Sequence, residues 1–158
     1  MNATDAKILV VDDDWAILEL LRIQFSKRGY GVVTARNAKE FWKQAFEEKP
    51  DLVVLDIWLG EEGGGTNVYE EIITRGFDPE VPVIFMSALV EEGTPAKHAP
   101  EGGRFALYGK PFDFNQMLDE VQNLLHTRIK KRGGYDESRH PSEKKSSNGR
   151  IDLGDFND

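Results

Sequence analysis

The feature that most constrains the fold is a short apolar run that ends on a carboxylate. The run from Leu52 to Leu55 has no polar face, so it predicts a strand buried on both sides, as in a parallel sheet. Asp56 follows the run directly. Because ligands bind outside the carboxyl ends of strands in open α/β sheets, Asp56 is predicted to lie where chemistry takes place. Taken alone, an aspartate at this position is better explained as a strand cap or the start of a turn.

The same alternation of a short apolar run and an amphipathic helix recurs along the chain. Further strands are predicted at residues 8–11, 32–35, 83–86 and 105–108. Helices are predicted to begin near Trp15, at Asn37 with Glu40 as its capping partner, at Thr66 or Asn67, and at Asp113 with Gln116 as its capping partner. This alternation implies a parallel sheet with helices on both faces and right-handed crossovers. Pro100 leaves room for at most about one to two turns of helix between the fourth and fifth strands, so that helix is expected to be short or irregular.

Composition excludes several classes of function. The net charge of −8 argues against a surface that binds nucleic acid. The chain has no cysteine, which excludes disulfides, thiol catalysis and thiolate metal sites. It shows neither a signal-peptide pattern nor an apolar run of membrane-spanning length. We therefore expect a cytoplasmic protein with no membrane insertion and no nucleic-acid partner.

The end of the chain differs in composition from the rest. Residues 1–132 are predicted to form one domain, whereas residues 133–158 are rich in Gly, Ser, Lys and Glu. Such a segment buries too little apolar area to offset its ordering entropy, so a disordered polar tail is expected. The alternative is a docking peptide at residues 151–156, whose sequence Ile-Asp-Leu-Gly-Asp-Phe alternates acidic and apolar side chains.

Polar residues follow four of the predicted strands, and the carboxyl ends of those strands meet at one edge of the sheet. They are Asp12 and Asp13, Asp56, Ser87, and Lys110. Three neighbouring carboxylates tolerate ionisation best around a cation, and hard oxygen ligands favour Mg²⁺. Lys110 can pair with Asp56 or with a phosphoryl group on it, and the Ser87 hydroxyl can donate to a phosphoryl oxygen. An aspartate can also act as a nucleophile that forms an aspartyl-phosphate.

Each of these residues alone has an ordinary explanation as a helix cap, a turn or a loop, but their joint occurrence in this order does not. The ordered combination resembles the receiver domain of two-component response regulators. The matching segments are Ile-Leu-Val-Val-Asp-Asp-Asp at 8–14, Pro-Asp-Leu-Val-Val-Leu-Asp-Ile at 50–57, Val-Ile-Phe-Met-Ser-Ala at 83–88 and Lys-Pro-Phe at 110–112. The resemblance covers about residues 6–130 and implies a flavodoxin-like, doubly wound sheet of five parallel strands in the order 2-1-3-4-5.

The resemblance also implies a Mg²⁺ site. Asp13 would bind the ion directly and Asp12 largely through water. Asp56 and the backbone carbonyl of Trp58 would be further ligands. The Lys110-Pro111 peptide bond is often cis in this family.

The function implied by the resemblance is signalling rather than enzymatic turnover. Asp56 would accept a phosphoryl group from a histidine kinase, and Ser87 and Lys110 would contact the phosphoryl oxygens. Because little chain follows the last predicted helix, we expect a stand-alone receiver that signals by contact with another protein or by onward transfer to a histidine phosphotransfer protein. Its only reactions would be self-phosphorylation and self-dephosphorylation.

The chain departs from the family pattern at one position that matters for switching. The family usually has an aromatic residue three positions before the lysine, where this chain has Leu107, with Tyr108 one place nearer the lysine. This departure supports an alternative, a constitutive binding module with the receiver fold and little phosphorylation-dependent switching. A phosphatase-type enzyme is a weaker alternative, because no second acid–base carboxylate adjoins Asp56.

Overall fold

The computed structural model describes residues 5–57, 65–88 and 104–133. The strands are β1 (Lys7–Val11), β2 (Gly31–Ala35), β3 (Leu52–Asp56), β4 (Val83–Ser87) and β5 (Phe105–Gly109). The helices are α1 (Trp15–Lys27), α2 (Ala38–Glu48), α3 (Gly65–Thr74) and α4 (Phe114–Gly133). The predicted alternation of strands and helices is confirmed.

The strands form one parallel sheet in the order β2-β1-β3-β4-β5, as expected. β3 is central and lies between β1 and β4. All five of its residues are buried, which agrees with the absence of a polar face in its sequence. Because all pairs are parallel, the residues that follow β1, β3, β4 and β5 meet at one edge of the sheet.

Two apolar layers cover the sheet, one on each face. Successive strand residues point to opposite faces, so one run such as Ile8–Val11 supplies both layers. Leu9 and Val53 belong to the layer under α2 and α3, whereas Ile8 and Leu52 belong to the layer under α1 and α4. In α4, four of the predicted core residues are buried: Met117, Val121, Leu124 and Leu125.

Side-chain caps place the starts of two helices. The Asn37 side chain accepts a hydrogen bond from the Glu40 backbone N–H at 2.8 Å, as predicted for α2. Glu40 in turn accepts from the N–H of Arg36, one residue before the cap, at 2.9 Å. The Asp113 carboxylate accepts from two backbone N–H groups at the start of α4, including that of Gln116 at 3.4 Å. These bonds satisfy N–H groups that a helix start leaves without an intrahelical partner.

Two local predictions are wrong. α3 begins at Gly65, so Thr66 and Asn67 lie inside the helix rather than capping it. Phe46, predicted on the core side of α2, is 41% exposed. The buried side of the helix is formed by Phe41 and Ala45 instead. The helix expected between β4 and β5 and the tail from residue 134 lie outside the described residues, so both stay predictions.

At the sheet edge opposite Asp56, an arginine connects α4 to two neighbouring segments. Arg128 is 8% exposed, and its guanidinium lies 3.9 Å from the Asp51 carboxylate and 3.7 Å from that of Asp78. Asp51 also accepts from the backbone N–H of Lys7, the first residue of β1, at 2.9 Å. The contacts of Arg128 thus join α4 to the segments that precede β3 and β4.

Replacing Arg128 with Met is expected to lower the free energy of unfolding by roughly 1–3 kcal/mol, since it leaves Asp51 without this cation. The loss should be smaller than for a fully buried pair because Asp78 is half exposed. Urea unfolding measures it. Lys7→Met, which breaks the exposed ion pair with Glu48, is the control and should cost at most about 1 kcal/mol. Equal losses in both variants would contradict the role given to Arg128.

Candidate functional site

The end of β1 presents two aspartates with different surroundings. Asp12 is buried, and its Oδ1 accepts a hydrogen bond from the backbone N–H of Asp14 at 2.9 Å. Asp14 is the N-cap of α1 and accepts from the N–H of Ala16 at 2.9 Å. Asp13, between them, is exposed. The turn from β1 into α1 therefore holds one carboxylate inside the sheet edge and one at its surface.

A lysine joins the ends of β1 and β3. Asp56, the last residue of β3, is 4% exposed. The Lys110 ammonium donates to Asp12 Oδ2 at 2.6 Å and to Asp56 Oδ2 at 3.2 Å. The sequence predicted the contact with Asp56, but the shorter contact with Asp12 was missed. The Lys110-Pro111 peptide bond is cis, in line with the resemblance.

Burial and the ion pairs shift the pKa values of Asp12 and Lys110 in opposite directions. Burial raises the pKa of Asp12, and the nearby charge of Asp56 raises it further, while the hydrogen bonds from Lys110 and from the Asp14 N–H only partly offset the rise. Burial alone would lower the pKa of Lys110, but the hydrogen bonds and charges of Asp12 and Asp56 outweigh it, so that pKa is raised. The ion pairs therefore favour the charged form of Lys110, whereas burial makes Asp12 harder to ionise than an exposed aspartate.

The three aspartates form a group that fits a divalent cation. Asp12, Asp13 and Asp56 each offer a carboxylate oxygen, and these atoms all lie within 4.8 Å of one another. Hard oxygen donors of this kind suit Mg²⁺, which keeps several waters and binds through a few carboxylates. Asp13 is exposed, so an ion can reach the group from solvent. The fourth ligand predicted from the sequence, the backbone carbonyl of Trp58, lies outside the described residues.

Ser87 lies at the same edge, as predicted. It ends β4, is 5% exposed and pairs in register with Gly109 of β5. The backbone N–H of Lys110 donates to the Ser87 carbonyl at 2.9 Å, so the two residues are held side by side. The structure thus brings together Asp12, Asp13, Asp56, Ser87 and Lys110 at one end of the sheet.

The residues before Lys110 divide between the two faces of the sheet. Leu107 is 4% exposed and belongs to the layer under α2 and α3. Tyr108 points to the other face, and its hydroxyl donates to the Gln116 carbonyl of α4 at 3.0 Å. Tyr108 therefore does not replace the aromatic side chain that the family usually has at the position of Leu107.

Aromatic rings do lie near Leu107, but they come from other positions. Tyr69 of α3 is in edge-on contact with Phe85 of β4 and Phe105 of β5, with ring centroids 6.1 and 5.9 Å apart. Tyr69 is fully buried, and burial raises the pKa of its hydroxyl. Sequence spacing could not reveal this cluster, because its members come from three separate elements.

Comparison with known proteins identifies the class. The family model of the response regulator receiver domain matches residues 8–122, so the chain belongs to that family. It is 34% identical over 121 residues to sporulation initiation phosphotransferase F of Bacillus subtilis, covering 75% of this chain and 93% of that protein. It is 32% identical over 126 residues to the transcriptional regulatory protein GlrR of Escherichia coli, covering 79% of this chain. The chain spans only about a quarter (27%) of the length of GlrR.

Comparison with solved structures gives the same fold as the family assignment. A CheY-like response regulator receiver domain protein from Methanospirillum hungatei superposes with a TM-score of 0.66 at 24% identity, covering 80% of this chain and 98% of that one. Receiver domains are the signalling phosphoacceptor domains of two-component systems. They bind Mg²⁺ at an acidic pocket and interact with histidine kinases. Within the described part of the chain, no helix is both long and apolar enough to cross a membrane.

Proposed function

We propose that this chain is a phosphorylatable switch in which Asp56 accepts a phosphoryl group from a histidine kinase in a Mg²⁺-dependent reaction. The observation that carries the proposal is the position of the Lys110 ammonium, which reaches both Asp12 and Asp56 within a group of three carboxylates. A lone strand-end aspartate would need no such arrangement. Phosphoryl transfer requires positioning and charge neutralisation. The Lys110 ammonium, the metal-binding carboxylates and the acceptor Asp56 together supply both.

Each residue of the site has a proposed task. Asp12 and Asp13 hold the ion, with Asp56 and the Trp58 carbonyl as further ligands. When bound, Mg²⁺ neutralises charge on the phosphoryl oxygens. Lys110 and Ser87 then contact those oxygens, one as a cation and one as a hydroxyl donor.

We propose that the phosphorylated chain acts through protein contact or onward phosphotransfer, in the cytoplasm. The near-complete coverage of sporulation initiation phosphotransferase F, whose name describes a transfer activity, supports this assignment. The partners would be a histidine kinase and either a histidine phosphotransfer protein or another protein target. We also propose that residues 1–132 form the receiver unit and that residues 133–158 lie outside its core.

The test is labelling with acetyl phosphate. Mg²⁺ should support incorporation of one phosphoryl group per chain, and EDTA should reduce it to background, because without the ion the carboxylates repel the incoming phosphate. Intact mass measures the incorporation. The control adds Mg²⁺ back to the EDTA-treated protein and should restore labelling. Equal labelling with and without the ion would contradict the proposed site.

A second candidate is the constitutive binding module, which the burial of Leu107 in an apolar layer favours. Beryllofluoride binding separates the two, because it mimics a phosphoryl group on the acceptor. We expect amide shifts around Asp56, Ser87 and Lys110, with smaller shifts on β4 and β5 than in a receiver that has the aromatic residue. NMR measures both sets.

Asp56→Asn is the control for this experiment and should show none of these shifts. Large changes centred on Leu107 and Tyr108 in the unmodified chain would contradict the prediction of weak switching. An absence of any shift, together with an absence of acetyl phosphate labelling, would instead favour the constitutive module.

A further inference from the structure

The outer side of α2 carries an exposed patch that the proposed switch does not use. Phe46 is 41% exposed, and its ring meets that of Phe77, a buried core residue, edge-on with centroids 6.0 Å apart. Trp42, one turn earlier, is half-buried under the guanidinium of Arg75, which lies 4.4 Å from the ring centroid. We call Trp42, Phe46, Phe77 and Arg75, together with the two lysines described next, the α2–α3 patch.

Two lysines border these rings. Lys39 and Lys43 are exposed and four residues apart, so they lie one turn above the other on α2. Within the ranges that the structure covers, neither lysine has an ion-pair partner, whereas Arg75 pairs with Glu71 at 2.8 Å. Like charges at this spacing repel each other. An acidic ligand would therefore find two unneutralised ammonium groups beside an exposed ring.

We propose that residues 151–156 of the same chain, with the sequence Ile-Asp-Leu-Gly-Asp-Phe, dock on the α2–α3 patch. The segment offers two carboxylates to Lys39 and Lys43 and three large apolar side chains to the exposed ring of Phe46. This proposal does not depend on phosphorylation of Asp56. It concerns a contact at the surface and leaves the core of the domain unchanged.

The spacing of the acidic residues suits the lysines. Asp152 and Asp155 flank Leu-Gly, and glycine in the third position of a four-residue turn favours a type II turn. In such a turn the first and fourth Cα atoms lie within about 7 Å of each other. Residues four apart on a helix are separated by about 6 Å of rise. The two carboxylates can thus face Lys39 and Lys43 simultaneously.

The chain leaves the domain near the Phe77 end of this patch, at the sheet edge opposite the one where α2 and Lys39 begin. Arg128 of α4 lies 3.7 Å from Asp78, which directly follows Phe77 of the patch. α4 continues from Arg128 to Gly133, which adds about 7.5 Å of helix. A flexible chain of 17 residues, the number between 134 and 150, spans on the order of 20–25 Å. A linker of this length gives an effective concentration in the millimolar range, which is enough to occupy a contact whose Kd is millimolar or lower.

The other exposed apolar surface in the described part of the chain suits this segment less well. Trp15, Leu20 and Ile23 of α1 are 62, 45 and 41% exposed. The charged groups there are less favourable, since Arg22 is already paired with Glu19 through two hydrogen bonds, and Asp14 adjoins Trp15. Both surfaces place an acidic residue beside an exposed ring, Asp14 before Trp15 and Glu47 after Phe46. The two lysines one turn apart, without ion-pair partners among the described residues, therefore favour the α2–α3 patch.

A spin label tests the proposal in the full chain. Because the chain has no cysteine, Asn157→Cys gives one attachment site beside the segment. Paramagnetic broadening should remove most of the amide signal intensity at Lys39, Lys43 and Phe46, while Leu20 and Ile23 on α1 should keep theirs. Uniform broadening, or broadening centred on α1, would overturn the proposal.

Charge reversal supplies the matched variants. Lys39→Glu with Lys43→Glu should restore the lost intensity, and adding Asp152→Lys with Asp155→Lys should remove it again. Phe156→Ala should weaken the broadening without any charge change. Insensitivity of the broadening to both charge reversals would refute the contact. A mixed sample separates contact within one chain from contact between copies. It combines isotope-labelled chain that has no spin label with spin-labelled chain that has no isotope label, and it should show no broadening. Broadening in this sample would show that the segment of a second copy, rather than that of the same chain, occupies the patch.

Discussion

Replacing Asp56 with Asn is expected to reduce labelling by acetyl phosphate to background. The amide keeps the size and shape of the carboxylate but lacks the anionic oxygen that attacks phosphorus. Because Asp56 is 4% exposed at the end of a fully buried strand, the near-isosteric change should leave the fold intact. Intact mass after incubation with Mg²⁺ and acetyl phosphate measures incorporation, and circular dichroism checks the fold.

Asp119→Asn is the matched control for this variant. Asp119 is an exposed carboxylate on α4, so its removal changes the net charge by the same amount without touching the site. It should be labelled like the unmodified chain. If the Asp56 variant retained its label, the acceptor would be another residue and the assignment of the site would be wrong.

The sheet was predictable from sequence because each of its strands is a short apolar run. The run from Leu52 to Leu55 has no polar face, and only a central strand buries both faces of such a run. The helix starts at Asn37 and Asp113 were also predictable, since their caps depend on residues within one turn. The start of α3 was not, because several polar residues precede its apolar face and each offers a plausible cap.

The site was predictable as a set of residues but not as a set of contacts. Strand ends and parallel order bring Asp12, Asp56, Ser87 and Lys110 to one edge without any knowledge of side-chain direction. The preference of Lys110 for Asp12 at 2.6 Å over Asp56 at 3.2 Å depends on rotamers and on the turn after β5, which spacing does not encode. The same holds for the exposure of Phe46, which depends on the angle at which α2 packs on the sheet.

Replacing Lys110 with Met should change stability, metal binding and labelling in different directions. Met keeps most of the apolar stem but leaves Asp12 and Asp56 without the cation that joins them. In EDTA, the free energy of unfolding should fall by about 2–4 kcal/mol. The loss should shrink as the pH falls, because burial already raises the pKa of Asp12 and a protonated carboxyl no longer repels Asp56.

Mg²⁺ should stabilise the Lys110→Met variant more than the unmodified chain, since the ion neutralises the carboxylates and no longer competes with the ammonium for Asp12. Labelling should nevertheless slow by about 100-fold, because the cation that contacts the phosphoryl oxygens is missing. Urea unfolding with and without Mg²⁺ measures the first effect, and the rate of acetyl phosphate labelling measures the second. Lys27→Met, at the exposed end of α1, is the control and should leave both unchanged. A Lys110 variant that labels at the normal rate, or that gains no extra stability from Mg²⁺, would show that Lys110 neither contacts the phosphoryl group nor competes with the ion.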